Sequence, residues 1–96
     1  GHSATARFYA LADLAEARAY LADPVLAPRL AACTDAMLGW AGRRSAEAIL
    51  GPVDAMKFAS SMTLFEAAGG GERFARALDG FFDGRRDART LALLGE

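Results

Sequence analysis

Cysteine occurs once, at Cys33, and histidine once, at His2. A single thiol forms no internal disulfide and no multi-cysteine zinc site. His2 and Cys33 together are too small a donor set to hold a metal. Lysine is as scarce, since Lys57 is the only one among 11 basic residues. Valine, isoleucine and threonine are few, and no run alternates apolar and polar over six residues, so the β-strand signal is missing. No apolar stretch approaches the roughly 20 residues of a membrane-spanning helix, and no signal-peptide pattern opens the chain. Neither sign of charge dominates: 11 Lys+Arg against 12 Asp+Glu leave a formal net charge of −1. A basic field for nucleic acid or a membrane surface is therefore not expected, and the expected location is the cytoplasm.

What remains is a helical alphabet. The chain has 96 residues, 53% apolar and 24% charged, a composition that folds rather than staying disordered. At this length a chain buries roughly two thirds of its unfolded surface, enough for one core, so residues 1–96 are expected to form a single domain. Alanine, the strongest helix former, is spread from end to end. The expected fold is all-α: a compact orthogonal bundle of five to six short helices around a central helix near 55–68.

The punctuation places those helices. Asp13 reads as an N-cap, with Glu16 three residues later completing a capping box, and Leu14, Ala17 and Leu21 share one face. Asp23-Pro24 stops this helix. Asp23 then caps the next, whose regular part begins near Leu26 or Ala27 because Pro28 must lie in a first turn. Leu26, Leu30, Cys33, Met37 and Trp40 form its apolar stripe. After a turn at Gly42-Arg43-Arg44, Ser45 caps a short helix carrying Ile49 and Leu50, which ends at Gly51 in a left-handed conformation. Asp54 is the expected cap of the helix from Ala55 to about Ala68, apolar on most sides and hence central. Gly69-Gly70-Gly71 predicts a mobile surface loop. Glu72 to Phe82 is amphipathic through Phe74, Leu78 and Phe81, with Gly84 as its C-terminal cap, and Asp87 caps a last helix anchored by Leu91 and Leu94.

Little of this carries chemistry. A histidine-based nucleophile triad would have to use His2 from a terminus, with no Gly-x-Ser-x-Gly elbow present. Cys33, on the predicted buried stripe, reads as a small hydrophobe filling a gap. Asp79 and Asp83 read as solvated residues and Asp87 as a cap rather than as paired acid–base carboxylates. Arg43-Arg44 and Arg85-Arg86 could each pair with a phosphate in bidentate fashion, although arginine pairs in turns commonly serve as soluble surface. The segment that stands out is Asp54 to Phe65. There Lys57 and Ser61, four apart, fall on one side of a largely apolar helix with Ser60 beside them. Such a lysine either snorkels to water or meets an anion with help from the serine hydroxyls. Hydroxyls in mid-helix also commonly bond the carbonyl one turn back.

Taken in order, DLAEARAYLADPVL (13–26), Arg29-Leu30, Cys33, Ile49-Leu50-Gly51, Asp54, Lys57 and SSMTLF (60–65) resemble a bacterial family known as domain of unknown function 1810. The tail fits the same series through Phe74, Leu78, Phe81-Phe82, Gly84, Asp87, Thr90-Leu91 and Leu94. The landmarks cover essentially the whole chain. The family usually has His-Pro-Val-Leu-Gly where this chain has Asp23-Pro24-Val25-Leu26-Ala27. Its members also begin with an added helical region that ends in an aromatic stretch before a Gly-Leu-Gly-x-Ser turn. Gly1-His2-Ser3 resembles the end of that turn, and Ser3 and Tyr9 fall on family landmarks, so 1–96 is expected to be the C-terminal part of a longer family domain. The helical layout of the family is similar to that of small NAD- and ADP-ribose-associated α-helical proteins linked to N-glycosidic chemistry.

Two functional expectations follow. One is a small-molecule site that binds or hydrolyses a nucleotide-derived, ADP-ribose-like ligand. Lys57, Ser60, Ser61, Ser3 and Tyr9 would line it, with no catalytic residue, metal or cofactor assigned. The other is a non-enzymatic helical interaction module that closes an apolar face by forming a homodimer.

Overall fold

The computed structural model describes residues 4–95. Among them are six helices and no strand. They are α1 (Ala4–Ala22), α2 (Leu26–Leu38), α3 (Ala46–Leu50), α4 (Pro52–Ala67), α5 (Glu72–Phe82) and α6 (Ala88–Leu94). The all-α bundle expected from composition is present. Helix α4 packs against α1, α3, α5 and α6, while α2 packs against α5 and α1.

Helix α1 begins well before the predicted start at Asp13. No glycine or proline interrupts 4–22, so the alanine-rich ladder runs straight through Asp13 and Glu16. A capping box acts only where backbone donors are orphaned, and inside a continuous helix they are not. The cap at Asp23 is where the punctuation put it. Its Oδ1 accepts from the backbone N–H of Val25 (2.8 Å) and Leu26 (2.9 Å). These two bonds, that from Leu26 foremost, hold the Asp23 carboxyl below its ordinary pKa. Ser45 likewise caps α3, accepting from the N–H of Ala48 at 3.0 Å.

Two further boundaries differ from expectation. Gly51 has φ 84° and ψ 164°, which is not left-handed helical but an extended conformation essentially reserved for glycine. That geometry lets α4 start at once with Pro52 in its first turn. Asp54 is then no cap; it lies inside the first turn, where its charge meets the positive helix end. At the end of α5 the left-handed turn begins one residue earlier than predicted, at Asp83 (φ 54°), and continues through Gly84.

The apolar stripe predicted on α2 is rotated. Cys33 is exposed and Trp40 is 42% exposed. The residue turned inward is Thr34, only 2% exposed, between the half-buried Leu30 and Leu38. Threonine fills the gap assigned to Cys33 because its hydroxyl donates to the Leu30 carbonyl at 2.8 Å, so its burial strands no polar atom.

The core is Met62 of α4 against Phe74, Ala77 and Leu78 of α5. Leu21, Leu30, Leu38, Phe58, Phe65 and Phe82 close around it. Phe65 stacks on Phe74 with centroids 5.4 Å apart. This stack also shapes the triple glycine. Gly69 N–H donates to Glu66 O and Gly70 N–H to Phe65 O, both at 3.0 Å, which is a Schellman motif. The predicted mobile loop is instead a hydrogen-bonded connection packed on the core. A Cβ on Gly70 would lie 2.4 Å from the Phe74 ring and 2.9 Å from the Phe65 carbonyl, whereas one on Gly69 meets nothing. Gly70→Ala should therefore destabilise the fold by about 2–3 kcal/mol through overpacking. Gly69→Ala, at φ 87°, should cost only the left-handed penalty of about 1 kcal/mol. Urea unfolding of the two variants compares them directly.

Candidate ligand groove

On the side of α4 away from α5 lies a groove of about 650 Å³. Its walls follow helical spacing. Helix α4 contributes Val53, Met56, Lys57, Ser60, Ser61 and Leu64, positions separated by three and four along one face. Tyr9, Ala10 and Asp13 come from α1, and Arg89, Thr90, Leu93 and Leu94 from α6. The groove thus has an apolar lining with a few polar groups set into it, the usual make-up of a small-molecule site. Val53 and Met56, 64% and 72% exposed, form its rim. Ser60, Ser61 and Leu64 are half-buried.

Two anchors fix the α6 wall. The Asp87 side chain caps the helix, accepting from Thr90 N–H (2.9 Å) and from the Thr90 hydroxyl (2.7 Å). Its own backbone N–H donates to the hydroxyl of Thr63, which in turn donates to the Ala59 carbonyl at 2.8 Å. Thr63 is nearly fully buried, so this two-bond relay pins the start of α6 to the middle of α4. One residue earlier, the Arg86 guanidinium grips the Glu66 carboxylate through two hydrogen bonds, with Nε to Oε1 at 2.8 Å. The bonds from Arg86 hold the Glu66 carboxyl below its usual range against the opposing effect of burial, and they raise the Arg86 pKa in turn. Of the predicted Arg85-Arg86 pair, Arg86 is therefore committed to the fold, and Arg85 faces Asp83 across 3.7 Å at the surface. A further pair, Arg73 and Asp35, joins α5 to α2 at 2.7 Å, and that hydrogen bond lowers the Asp35 pKa.

The polar groups inside the groove are left available. No carboxylate pairs with Lys57 or Arg89 among the described residues. The two buried threonines bond the carbonyl one turn back, Thr34 to Leu30 and Thr63 to Ala59. Neither Ser60 nor Ser61 makes a side-chain hydrogen bond of this kind among the described residues. Two unpaired cations therefore stand beside two free hydroxyls on an apolar surface. Asp13, exposed in mid-helix, supplies the carboxylate of the lining.

Of the residues singled out in the sequence, the structure brings Lys57, Ser60, Ser61 and Tyr9 to this one groove. Ser3 lies outside the described residues. Sequence reasoning missed Arg89, Thr90 and Asp13 as lining. Arg89 stands in a short polar stretch with no local signal, and the local pattern at Asp13 is that of a helix cap. Among the described residues no three His, Cys, Asp or Glu side chains cluster as metal ligands, and no helix is long and apolar enough to cross a membrane.

Thr63→Val keeps the shape but removes the acceptor for the Asp87 N–H. It should cost about 1–3 kcal/mol and, in hydrogen exchange, raise the exchange of α6 amides more than those of α5.

No curated protein and no solved structure matches the chain. A family model described as "Protein of unknown function (DUF1810)" matches residues 1–94. With the landmarks of that family in order from α1 to α6 and nearly the whole length covered, the chain belongs to the DUF1810 family.

Proposed function

We propose that the α1–α4–α6 groove binds an anionic, nucleotide-derived small molecule of the ADP-ribose type. The observation that carries this reading is the juxtaposition of two cations without an ion-pair partner among the described residues, Lys57 and Arg89, with the hydroxyls of Ser60 and Ser61 in an apolar cleft. Phosphoryl oxygens satisfy both kinds of donor at once. Tyr9, Val53, Met56 and Leu93 offer the apolar and aromatic surface that a base or ribose would cover. The volume falls within the roughly 300–1,000 Å³ of small-molecule sites. If the bound molecule is hydrolysed, Asp13 is the groove's carboxylate and would take the proton of the attacking water as the bond to the leaving group breaks. With such a ligand the reading is that of a bacterial protein acting in the cytoplasm.

Calorimetric titration with ADP-ribose and NAD tests the site. Saturable binding is expected, weakened at least about tenfold by Lys57→Ala or Arg89→Ala, each of which removes a charge-assisted contact. An absence of binding at about 1 mM ligand would overturn the reading.

A second reading has its own observation. Phe8, Tyr9, Val53 and Met56 are all more than half exposed, and Tyr9, Val53 and Met56 share the groove rim. In this reading the rim is the face of a non-enzymatic helical module and closes against the same face of a second copy. Light scattering would then show a dimer that Met56→Glu converts to monomer. A monomer for the unaltered chain at high concentration would exclude it.

A further inference from the structure

The turn after α2 carries the other arginine pair singled out in the sequence, and the structure treats it differently from Arg85-Arg86. The Trp40 carbonyl accepts from the N–H of both Arg43 (2.9 Å) and Arg44 (3.0 Å). Gly42, at φ 78° with open space where a Cβ would be, supplies the left-handed residue that this reversal needs. The backbone therefore doubles back, and both side chains return over the indole. The Arg43 guanidinium carbon lies 5.1 Å and that of Arg44 5.5 Å from the Trp40 ring centroid. The indole attracts each cation, and both arginines line one and the same hollow.

Among the described residues no carboxylate pairs with either arginine. Both are exposed. Beside them is a depression of about 340 Å³, closed on its far side by Gly80 and Phe81 of α5. A Cβ on Gly80 would lie 2.9 Å from the Ala41 Cβ. The missing side chain is thus what lets α5 approach the turn and form that wall. The Ser45 Oγ at the edge accepts from the Ala48 N–H as the α3 cap, and its own O–H stands as a donor beside the guanidinium N–H groups of the hollow.

We propose that the Trp40–Arg43–Arg44 turn is a binding site for a small phosphate monoester. Two adjacent guanidinium forks present planar sets of donors that match phosphoryl oxygens. A dianion cancels both charges and removes their mutual repulsion, which a monoanion does only in part. The selectivity is therefore for the monoester dianion over a phosphodiester, which carries one charge. The site shares no residue with the α1–α4–α6 groove and does not depend on the reading given to that groove.

Trp40 is the chain's only tryptophan, so its fluorescence reports the site alone. The experiment titrates the chain with inorganic phosphate and glycerol phosphate at constant ionic strength, against dimethyl phosphate and chloride. A saturable change in Trp40 emission is expected with both dianions, with half-saturation on the order of 1 mM. The dimethyl phosphate response should be at least about tenfold weaker, since it loses one unit of charge. Arg43→Gln combined with Arg44→Gln, at exposed positions, should abolish the saturable change while circular dichroism shows the helices intact. An equal response to dimethyl phosphate or chloride, no saturable response below about 10 mM dianion, or a response that survives in the double variant would each overturn the proposal. The comparison of dianion with diester uses the unaltered chain, so it decides the matter even if the double variant fails to fold.

Discussion

The contact on which the rest of the molecule depends is the seat of α5 against α4 and α2. It is made by Ala77 and Leu78, which have no exposed surface at all, and by Phe74 against Met62 and Phe65. Small residues make it close. Ala77 presents only a methyl group, and Gly70 and Gly80 leave no room for a Cβ without displacing Phe74 or Ala41. Close packing of this kind gains dispersion from many neighbours at once and tolerates little added volume.

That seat fixes the rotation of α4. Once Met62 and the half-buried Phe58 and Phe65 are turned toward α5, the positions at Val53, Met56, Lys57, Ser60, Ser61 and Leu64 must look the other way. Helices α1 and α6 flank them and do not cover them. The groove is the part of a many-sided apolar helix that its neighbours leave open. The Thr63 relay and the Glu66–Arg86 pair then hold α6 at its place. Both originate on the same helix that carries the groove lining, so the wall and the floor are tied together.

Local chemistry made much of the fold readable. Asp23, Ser45 and Asp87 cap where their side chains suggest, and α5 has the predicted limits because Glu72 to Phe82 has one unambiguous apolar side. Asp13 and Asp54 misled for a common reason. A side chain that can cap does so only if the backbone ladder begins there, and an alanine-rich run free of glycine and proline before Asp13 and Pro52 before Asp54 moved those beginnings upstream. The stripe of α2 misled because hydrophobicity ranks cysteine above threonine, while a threonine whose hydroxyl is satisfied within its own helix is as easily buried. The candidate groove was half legible: Lys57, Ser60 and Ser61 share a face by spacing alone, and Tyr9 entered through the family resemblance.

By itself the sequence determined that this chain is helical, where most helices begin and end, and which face of α4 carries its one lysine and two serines. Composition, propensity and capping act over a few residues, and a few residues contain them. Only the tertiary structure decided that this face stays open, that Arg89 joins Lys57 there with neither cation in an ion pair among the described residues, that Arg86 is committed to Glu66, and that Arg43 and Arg44 are gathered on Trp40. Those outcomes depend on which surfaces meet across long stretches of chain, and that is settled by the close fit of α5 into its neighbours rather than by any local preference.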